Sequence, residues 1–428
     1  DVTVTGSGTV NNKVPADKAG GTTNRYTMLS AAAGGKLTIE NGTFTTQAAQ
    51  IVYTYGDTTI LGGSFMNTST DTSDETDEAL NSGALIVVCG TSASLTMTGG
   101  TVGTESPYLY GVFVRGGGSA IFGDAETGDG PSIHTHCYAA IGENNTTSPA
   151  NITIYGGEYS VSTTPLSNAW KPYCATIYAV ASGNINIHGG TFTGYYTISD
   201  RYKNVDQTVS ITGGTFNGAE AALFVDNLSG AGTAGNRVIS LTAGTYSTDP
   251  SAYVAAGYEA VQTGEVWIVR EKPDVATVNG TPYKSLAEAI SAAESGATVT
   301  LCEDVELTGT INTRKVLTVD LNGKSVTCSG TVFDAYDALT ITDSSENGTG
   351  SIVSEDNKAL YIERGVAVEV KGGTLKTFVP IKLDSNASLT VSGGTIEGTD
   401  TGDTYVIYAY YNNAINITGG KVTGGSDR

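Results

Sequence analysis

The segment LTMTGGTV at residues 95–102 decides the fold of this chain, because close copies of it recur along the sequence. INIHGGTF (185–192), VSITGGTF (209–216), LTVSGGTI (389–396) and INITGGKV (415–422) repeat its order of alternating apolar residues, a glycine pair and a further apolar residue. Looser copies end at Phe44, Phe65, Tyr159, Tyr246 and Leu375. Alternating apolar residues indicate a short strand with one buried face, and the glycine pair permits a tight corner.

The spacing of the copies gives the size of the repeat. The first position of the glycine pair falls at residues 41, 62, 99, 156, 189, 213, 243, 372, 393 and 419, so the shortest separation, from 41 to 62, is 21 residues. A unit of that size cannot bury an apolar face alone, whereas stacked coils pair every strand with its neighbours. The LxxLxLxxN pattern of leucine-rich repeats is missing. We therefore predict an all-β fold, a parallel β-helix, right-handed by the usual chirality of parallel crossovers.

The copies stop between residues 243 and 372, and this gap indicates two lobes. We place them at residues 1–270 and 271–428, with a closing ribbon around residues 265–270 and a linker that contains Pro273. Within the gap, SLAEAISAAE (285–294) is the one convincing helix, since Ser285 and Glu288 form a capping box before an apolar stripe. We expect this helix to cover the first coil of the second lobe, whose strand edges would otherwise be unpaired.

Charge and composition exclude several classes of partner. The chain has 43 Asp and Glu against 22 Lys and Arg, a formal net charge of −21, so it should repel nucleic acid and anionic lipid surfaces. No run approaches the ~18 apolar residues of a membrane span, and the sequence opens at Asp1 without a signal-like segment. Because its last residues, KVTGGSDR, stop inside a copy, we expect a monomeric part of a longer chain.

Residues 240–330 carry a resemblance to known proteins. VNGTPYKSLAEAISAAESGATVTLCEDVEL (278–307) through LTVDLNGKSVT (317–327) closely resembles a module of surface and secreted proteins of Gram-positive gut bacteria, and DPSAYVAAGYEAV (249–261) resembles the segment that often precedes it. Such proteins are similar in fold to pectate lyases, and many look like large anchored adhesins. The resemblance implies a β-helix in an extracellular, cell-surface setting and no particular activity, since one fold hosts many functions.

The sequence shows no catalytic constellation. The NTD, DD, GHG and RIK motifs of polygalacturonases do not occur. A pectate-type lyase needs an acidic calcium site beside an Arg or Lys base, because removing a proton beside a uronate requires charge neutralisation. The residues that come nearest to this requirement are Asp200, Arg201, Lys203 and Asp206, and a solvated loop would account for them as well. We assign no catalytic residue and keep a polysaccharide lyase or glycoside hydrolase, with a site assembled from several coils, as the alternative.

Metal-ligating residues give weak signals. His134 and His136 alternate on a predicted strand near Cys137 and Glu143, but a polar strand face explains them equally. An acidic run could hold calcium but lacks the glycine and spacing of a calcium loop: Asp71, Asp74, Glu75, Asp77 and Glu78. The five cysteines form no CxxC motif, and we expect most to be small buried apolar residues. We assign no metal ligand and no cofactor, with calcium as the one ion the sequence could accommodate.

Aromatic residues give the strongest indication of a binding surface. The chain has 23 Tyr against 9 Phe, so many rings carry hydroxyls that must reach water or a partner. Four of them lie 11 residues before the first glycine of the next copy: Tyr178, Tyr202, Tyr361 and Tyr408. With Tyr410, on the strand face of Tyr408, and Trp170, in a loop, they are our candidate ligand-binding residues. The alternative is that the tyrosines form ladders that only stabilise the β-helix.

The sequence therefore predicts a non-enzymatic cell-surface or secreted module, an adhesin or stalk. Its ligand would be a glycan or another host-surface molecule, because exposed tyrosine rings can stack on the apolar C–H faces of sugars. Exposure of the tyrosines is the property that separates this hypothesis from the purely structural one.

Overall fold

The computed structural model describes residues 1–12, 27–47, 50–68, 83–104, 106, 109–144, 148–180, 183–202, 206–227, 237–354, 357–399 and 405–424, with the side chains of Asn12, Asn144, Tyr202 and Asn227 outside the described part. The chain divides into two compact units, Asp1–Glu271 and Lys272–Arg428. Both consist of stacked coils of short strands, nearly all parallel. The fold is an all-β parallel β-helix, as predicted, while its right hand stays a prediction.

The strands of the first unit are β1 (Val2–Val4), β2 (Thr9–Asn12), β3 (Leu29–Ala31), β4 (Lys36–Ile39), β5 (Thr43–Thr46), β6 (Val52–Thr54), β7 (Asp57–Ile60), β8 (Ser64–Asn67), β9 (Ala84–Cys89), β10 (Ser94–Met97), β11 (Thr101–Thr104), β12 (Tyr110–Arg115), β13 (Ser119–Phe122), β14 (Ser132–Thr135), β15 (Ile141–Asn144), β16 (Ala150–Ile154), β17 (Glu158–Val161), β18 (Ala175–Ala179), β19 (Gly183–Ile187), β20 (Thr191–Tyr202), β21 (Gln207–Ile211), β22 (Thr215–Asn227), β23 (Arg237–Leu241), β24 (Gly244–Tyr246), β25 (Tyr258–Thr263) and β26 (Val266–Glu271). Single 3-10 turns occupy Lys171–Tyr173 and Ser251–Tyr253.

A typical coil of the first unit has three strands. The first of each coil joins a nine-stranded sheet, and the others join a 17-stranded sheet, in which β20 and β22 continue through the corner between the second and third positions.

The second unit begins with a hairpin and a helix and then repeats the three-strand coil. Its elements are β27 (Ala276–Val278), β28 (Thr281–Tyr283), α1 (Leu286–Ala292), β29 (Ala297–Leu301), β30 (Val305–Leu307), β31 (Ile311–Thr313), β32 (Leu317–Asp320), β33 (Ser325–Cys328), β34 (Phe333–Ala335), β35 (Leu339–Thr342), β36 (Ser351–Ser354), β37 (Leu360–Ile362), β38 (Ala367–Val370), β39 (Thr374–Thr377), β40 (Ile381–Leu383), β41 (Ser388–Val391), β42 (Thr395–Gly398), β43 (Ile407–Ala409), β44 (Ala414–Ile417) and β45 (Lys421–Thr423). They form sheets of eight, six and five strands, one for each position in the coil.

The glycine pair is required by the corner between the first and second strands. At Gly99 an added Cβ would lie 2.5 Å from the carbonyl oxygen of Leu61 in the coil before, and no real Cβ comes that close. Gly100 has φ of +90°, a conformation that residues with a side chain rarely adopt. The two glycines therefore serve different needs, close approach and left-handed backbone.

Apolar residues that flank the corner fill the interior. The residue after the glycine pair and threonine stacks on its equivalent in the next coil, with ring centroids 5.0 Å apart for Tyr159 and Phe192, and 4.9 Å apart for both Phe192 with Phe216 and Phe216 with Tyr246. The two buried tyrosines donate their hydroxyls to corner carbonyls, Tyr159 to Gly156 at 2.8 Å and Tyr246 to Ala243 at 3.0 Å. For these two tyrosines the structural ladder is the correct interpretation.

Antiparallel elements and a helix cover coil ends. The ribbon expected near residues 265–270 is the hairpin of β25 and β26, which pairs with β24. In the second unit β27 pairs antiparallel with β29, and α1 buries Leu286 and Ile290 in the core beneath it. The Ser285 hydroxyl caps α1 by accepting the amide of Glu288 at 3.2 Å. Among the described residues, no helix is long and apolar enough to cross a bilayer.

Candidate functional site

The outer face of one sheet in the second unit brings together three of the six candidate residues. Its five strands, β31, β34, β37, β40 and β43, alternate their side chains between the core and the outside. The outward residues of these strands are in register and are Asn312, Asp334, Tyr361, Lys382 and Tyr408. We call the group formed by Tyr361, Lys382, Tyr408 and Tyr410 the tyrosine–lysine face.

Lys382 is surrounded by the three tyrosine rings of this face. Its Nζ lies 5.4 Å from the ring centroid of Tyr361, 5.7 Å from that of Tyr408 and 5.1 Å from that of Tyr410. The rings of Tyr408 and Tyr410 meet edge to face with centroids 5.4 Å apart. Since a cation within about 6 Å is attracted to the negative face of a ring, the ammonium group holds the three rings together.

The tyrosine–lysine face remains open to solvent. Tyr410 exposes 46% of its surface, while Tyr361 and Tyr408 are half-buried. Within the described residues, no carboxylate lies at ion-pair distance from the Lys382 ammonium, whose contacts are the three rings. Partial burial and the nearby charge of Lys382 lower the pKa of Lys358, a second amine close to the face. A ligand can therefore meet ring faces and an unpaired ammonium donor at the same place.

Three carboxyl groups lie near the face: Asp334 on β34, Glu363 directly after β37 and Asp384 directly after β40. Burial and the neighbouring charge of Glu363 raise the pKa of the Asp334 carboxyl, whose Oδ1 is buried and lacks a hydrogen-bond partner. Burial, followed by the charges of Glu363 and Asp384, raises the pKa of Tyr361. The Tyr361 hydroxyl therefore stays protonated around neutral pH and can donate a hydrogen bond.

The equivalent sheet position in the first unit carries a buried aromatic cluster. Four of its residues are buried side chains and two, Trp170 and Tyr173, are half-buried and pack against them; the cluster comprises Tyr53, Tyr110, Tyr138, Tyr178, Trp170 and Tyr173. Tyr138 is at its centre, stacked on Tyr110 with ring centroids 4.8 Å apart and edge to face with Trp170 at 5.6 Å. We call this group the aromatic cluster.

A long connection covers the aromatic cluster. Residues 162–174, which we call the roof loop, connect β17 to β18 and contribute Trp170 and Tyr173. The amide of Ser162 donates to the carbonyl of His136 at 3.0 Å, and the Arg201 guanidinium lies 5.8 Å from the ring of Tyr173. Tyr178, beneath this loop, exposes 6% of its surface. Two of the sequence-derived candidates, Tyr178 and Trp170, thus pack together in the aromatic cluster, and Tyr178 offers no face to a ligand.

Tyr202 is not in register with Tyr178, although both precede a glycine pair by the same number of residues. Tyr178 pairs with Ser199 across the sheet, whereas Tyr202, the last residue of β20, pairs with Asn227. Counting back from the glycine pair therefore misplaces Tyr202. Its side chain lies outside the described residues.

The residues considered for a lyase site do not converge. Asp200 points into the protein, where it forms an ion pair with Arg237. Arg201 points to the opposite face of the strand and pairs with Asp226 at 3.2 Å. Lys203 lies outside the described residues, and Asp206 is exposed. Successive side chains of a strand point to opposite faces, so residues adjacent in sequence, such as Asp200 and Arg201, are separated in the structure.

The residues considered for a metal site also point apart. His134 is exposed and its Nδ1 lies 2.8 Å from the Ser160 hydroxyl. Glu143 is fully buried and accepts the amide of Val180 at 2.9 Å. Across the described ranges, no three His, Cys, Asp or Glu side chains come together in a way that could hold a metal ion. The acidic run at residues 71–78 lies outside the described residues.

Lys382 is the residue that the sequence reasoning missed. A signal for it exists, because Lys382 lies 11 residues before Gly393, just as Tyr361 and Tyr408 lie 11 residues before Gly372 and Gly419. A pattern restricted to aromatic residues excludes this lysine, although it occupies the same position in the coil between them.

Comparison of the chain with protein-family models, with curated proteins and with solved structures gives no match.

Proposed function

We propose that this chain is a non-enzymatic module of a cell-surface or secreted protein, an adhesin or stalk that binds carbohydrate through the tyrosine–lysine face. The observation that supports it most is the grouping of three solvent-accessible tyrosine rings around Lys382 on a regular sheet. Aromatic rings stack on the C–H faces of sugars, and the lysine and tyrosine hydroxyls can donate hydrogen bonds to sugar oxygens. A rigid sheet holds these groups in place before the ligand arrives, which lowers the entropic cost of binding.

The setting of the proposed function is extracellular. The acidic net charge of −21 and the resemblance of residues 240–330 to surface proteins of Gram-positive gut bacteria support this location. The same resemblance supports a pectate-lyase-like variant of the β-helix. The proposal adds a host or dietary glycan as the partner.

Glycan-array binding with matched variants tests the proposal. We expect the intact chain to bind a subset of glycans and Tyr410→Ala to weaken that binding by about tenfold, which corresponds to about 1.4 kcal/mol. Tyr55→Ala is the matched control, because Tyr55 is 47% exposed, almost the same as Tyr410, and lies in the first unit. Binding lost equally in both variants would contradict the assigned site. A chain that binds no glycan would be a spacer.

A polysaccharide lyase or glycoside hydrolase is a second candidate, favoured by one observation. Asp334 has a raised pKa and an unpartnered buried oxygen, and it stands in register with Tyr361 on the outer face. A carboxyl group with a raised pKa can serve as a general acid. Release of unsaturated or reducing ends from pectin, alginate or host glycans, abolished in Asp334→Asn, would establish this activity in place of simple binding.

A further inference from the structure

Two buried cysteines of the first unit face each other. The Sγ atoms of Cys137 and Cys174 lie 2.7 Å apart, well inside the ~3.5–4 Å at which unbonded heavy atoms make contact. Cys137 exposes 1% of its surface and Cys174 none. The remaining cysteines, Cys89, Cys302 and Cys328, make no such contact with another cysteine. One pair therefore stands apart from the other thiols.

The position of this pair ties the roof loop to the sheet. Cys137 follows β14, and Cys174 is the last residue of the roof loop. Backbone hydrogen bonds hold Cys174 on both sides. Its amide donates to the carbonyl of Lys171 at 3.2 Å, and its carbonyl accepts the amide of Tyr196 at 3.0 Å. The two sulfurs pack in an apolar group with Tyr195 and Tyr196, so the surrounding side chains fix their approach.

We propose that Cys137 and Cys174 form a disulfide that fastens the roof loop over the aromatic cluster. Its formation requires an oxidant, and a low-molecular-weight disulfide such as oxidised glutathione supplies it by thiol–disulfide exchange. The thiolate of one cysteine attacks the oxidant and releases one reduced thiol. The second cysteine attacks the mixed disulfide and releases another, so two protein thiols are oxidised and one small disulfide is reduced.

The local chemistry suits this exchange. The hydrogen bond with Cys174 lowers the pKa of the Cys137 thiol, while the same hydrogen bond and burial raise the pKa of Cys174. A lowered thiol pKa favours the thiolate, which is the form that attacks a disulfide. Because both sulfurs are buried, oxidation occurs during folding or when the roof loop opens transiently.

Thiol counting on the intact chain tests the disulfide. The protein is refolded with a mixture of reduced and oxidised glutathione, unfolded in denaturant with an alkylating reagent, and weighed by mass spectrometry. We expect three alkylated cysteines without prior reduction and five after it, with a cross-linked peptide pair that contains Cys137 and Cys174. Five alkylated cysteines in both samples, or a cross-link between other cysteines, would overturn the proposal.

Variants extend the test to the function of the cross-link. In Cys89→Ser, a control, the Cys137–Cys174 cross-link should persist. In the unsubstituted protein, reduction should raise the rate of amide hydrogen exchange in residues 162–174 at least tenfold and leave strands β37 and β40 of the second unit unchanged. Equal exchange in the oxidised and reduced forms would show that the cross-link does not fasten the roof loop.

Discussion

The third sheet position of the coil is used in opposite ways in the two units. In the first unit its outward side chains form the buried aromatic cluster, where rings of the roof loop pack on Tyr138 and Tyr178 and leave Tyr178 6% exposed. In the second unit the same position carries the open tyrosine–lysine face, with Tyr410 46% exposed. The same position in the coil thus contributes to a second small core in one unit and to a solvent-accessible surface in the other.

One source of the difference is the connection that precedes the third strand. Residues 162–174 separate β17 from β18 in the first unit, whereas residues 378–380 separate β39 from β40 in the second. The long connection can fold back over the sheet, and the short one cannot. The strand side chains also differ between the units, since Val87 and Phe113 are outward and buried in the first unit and Lys382 is outward and accessible in the second. A β-helix therefore gains or loses an exposed face through its loops.

The largest expected effect on stability is the loss of a ring from the aromatic cluster of the first unit. Tyr110→Ala should lower the free energy of unfolding of the first unit by about 3–5 kcal/mol, because it leaves a cavity among rings that cannot collapse around it. Urea denaturation followed by tryptophan fluorescence measures this unit, since both tryptophans, Trp170 and Trp267, lie in it. The same substitution at Tyr410 should change the stability of the second unit by less than about 1 kcal/mol. Comparable losses would remove the distinction between the two faces.

The next largest effect is a difference in folding stability between the two units at alkaline pH. Burial raises the pKa of Tyr110 and Tyr178, and burial with the charge of Tyr195 raises that of Tyr196 to about 12. The folded state then keeps protons that the unfolded state loses above about pH 10, so folding stability is fully present below that pH and declines above it. Each unit of pKa difference is worth about 1.4 kcal/mol.

We expect the first unit to unfold before the second as the pH rises from about 10 to 12. Tryptophan fluorescence should change in an early phase, and circular dichroism of the whole chain should show a further, later phase. A single transition in both signals would contradict the expected order.

A smaller effect sharpens the role of Lys382. Lys382→Met should destabilise the second unit by about 1 kcal/mol, since an exposed cation–π contact contributes ~0.5–1 kcal/mol and the three contacts share one ammonium. Amide hydrogen exchange in β37, β40 and β43 reports this change, because the second unit contains no tryptophan. Lys421→Met, at an exposed position of β45, should leave exchange in those strands unaltered; equal effects would show that the rings do not depend on Lys382.

The smallest effect has the opposite sign. The raised pKa of Asp334 means that its ionisation opposes folding once the pH exceeds the unfolded value of about 3.9, and this cost is absent at lower pH. Asp334→Asn should therefore stabilise the second unit at about pH 7, by a few tenths of a kcal/mol after solvent screening, and leave it unchanged near pH 3. Hydrogen exchange in β34 measures it at neutral pH, with thermal unfolding by circular dichroism for the acidic sample. A loss of stability at neutral pH would mean that the charged carboxylate is stabilising.

The fold was predictable because the repeat expresses a local requirement. Corner glycines such as Gly99 and Gly100, the alternating strand residues and the Ser285 cap each follow from contacts within one coil or between adjacent coils. The candidate site was only partly predictable. Residue spacing put Tyr361 and Tyr408 at equivalent positions, and the structure pairs their strands in register with the strand of Lys382 between them. Ligand binding by these residues stays a prediction.

The remainder depended on loops, where spacing carries little information. Register in β20 separates Tyr202 from Tyr178, and the roof loop buries Tyr178, so neither could be placed by counting from a glycine pair. The roof loop has no repeat signature, because this connection occurs once in the sequence. Lys382 was missed for another reason. Its distance from the next glycine pair marks its position in the coil, but that distance does not depend on the type of residue.

The close approach at each corner also bears on how such a chain can change over generations. Gly213 lies against the carbonyl of His188 and Gly393 against that of Lys371, so the coil before leaves no room for a side chain at these corners. A change in a lateral loop leaves these contacts in place, whereas a substitution at one of these glycines would set a Cβ against the coil before. We therefore expect sequence change to concentrate in the lateral loops and to spare these corners.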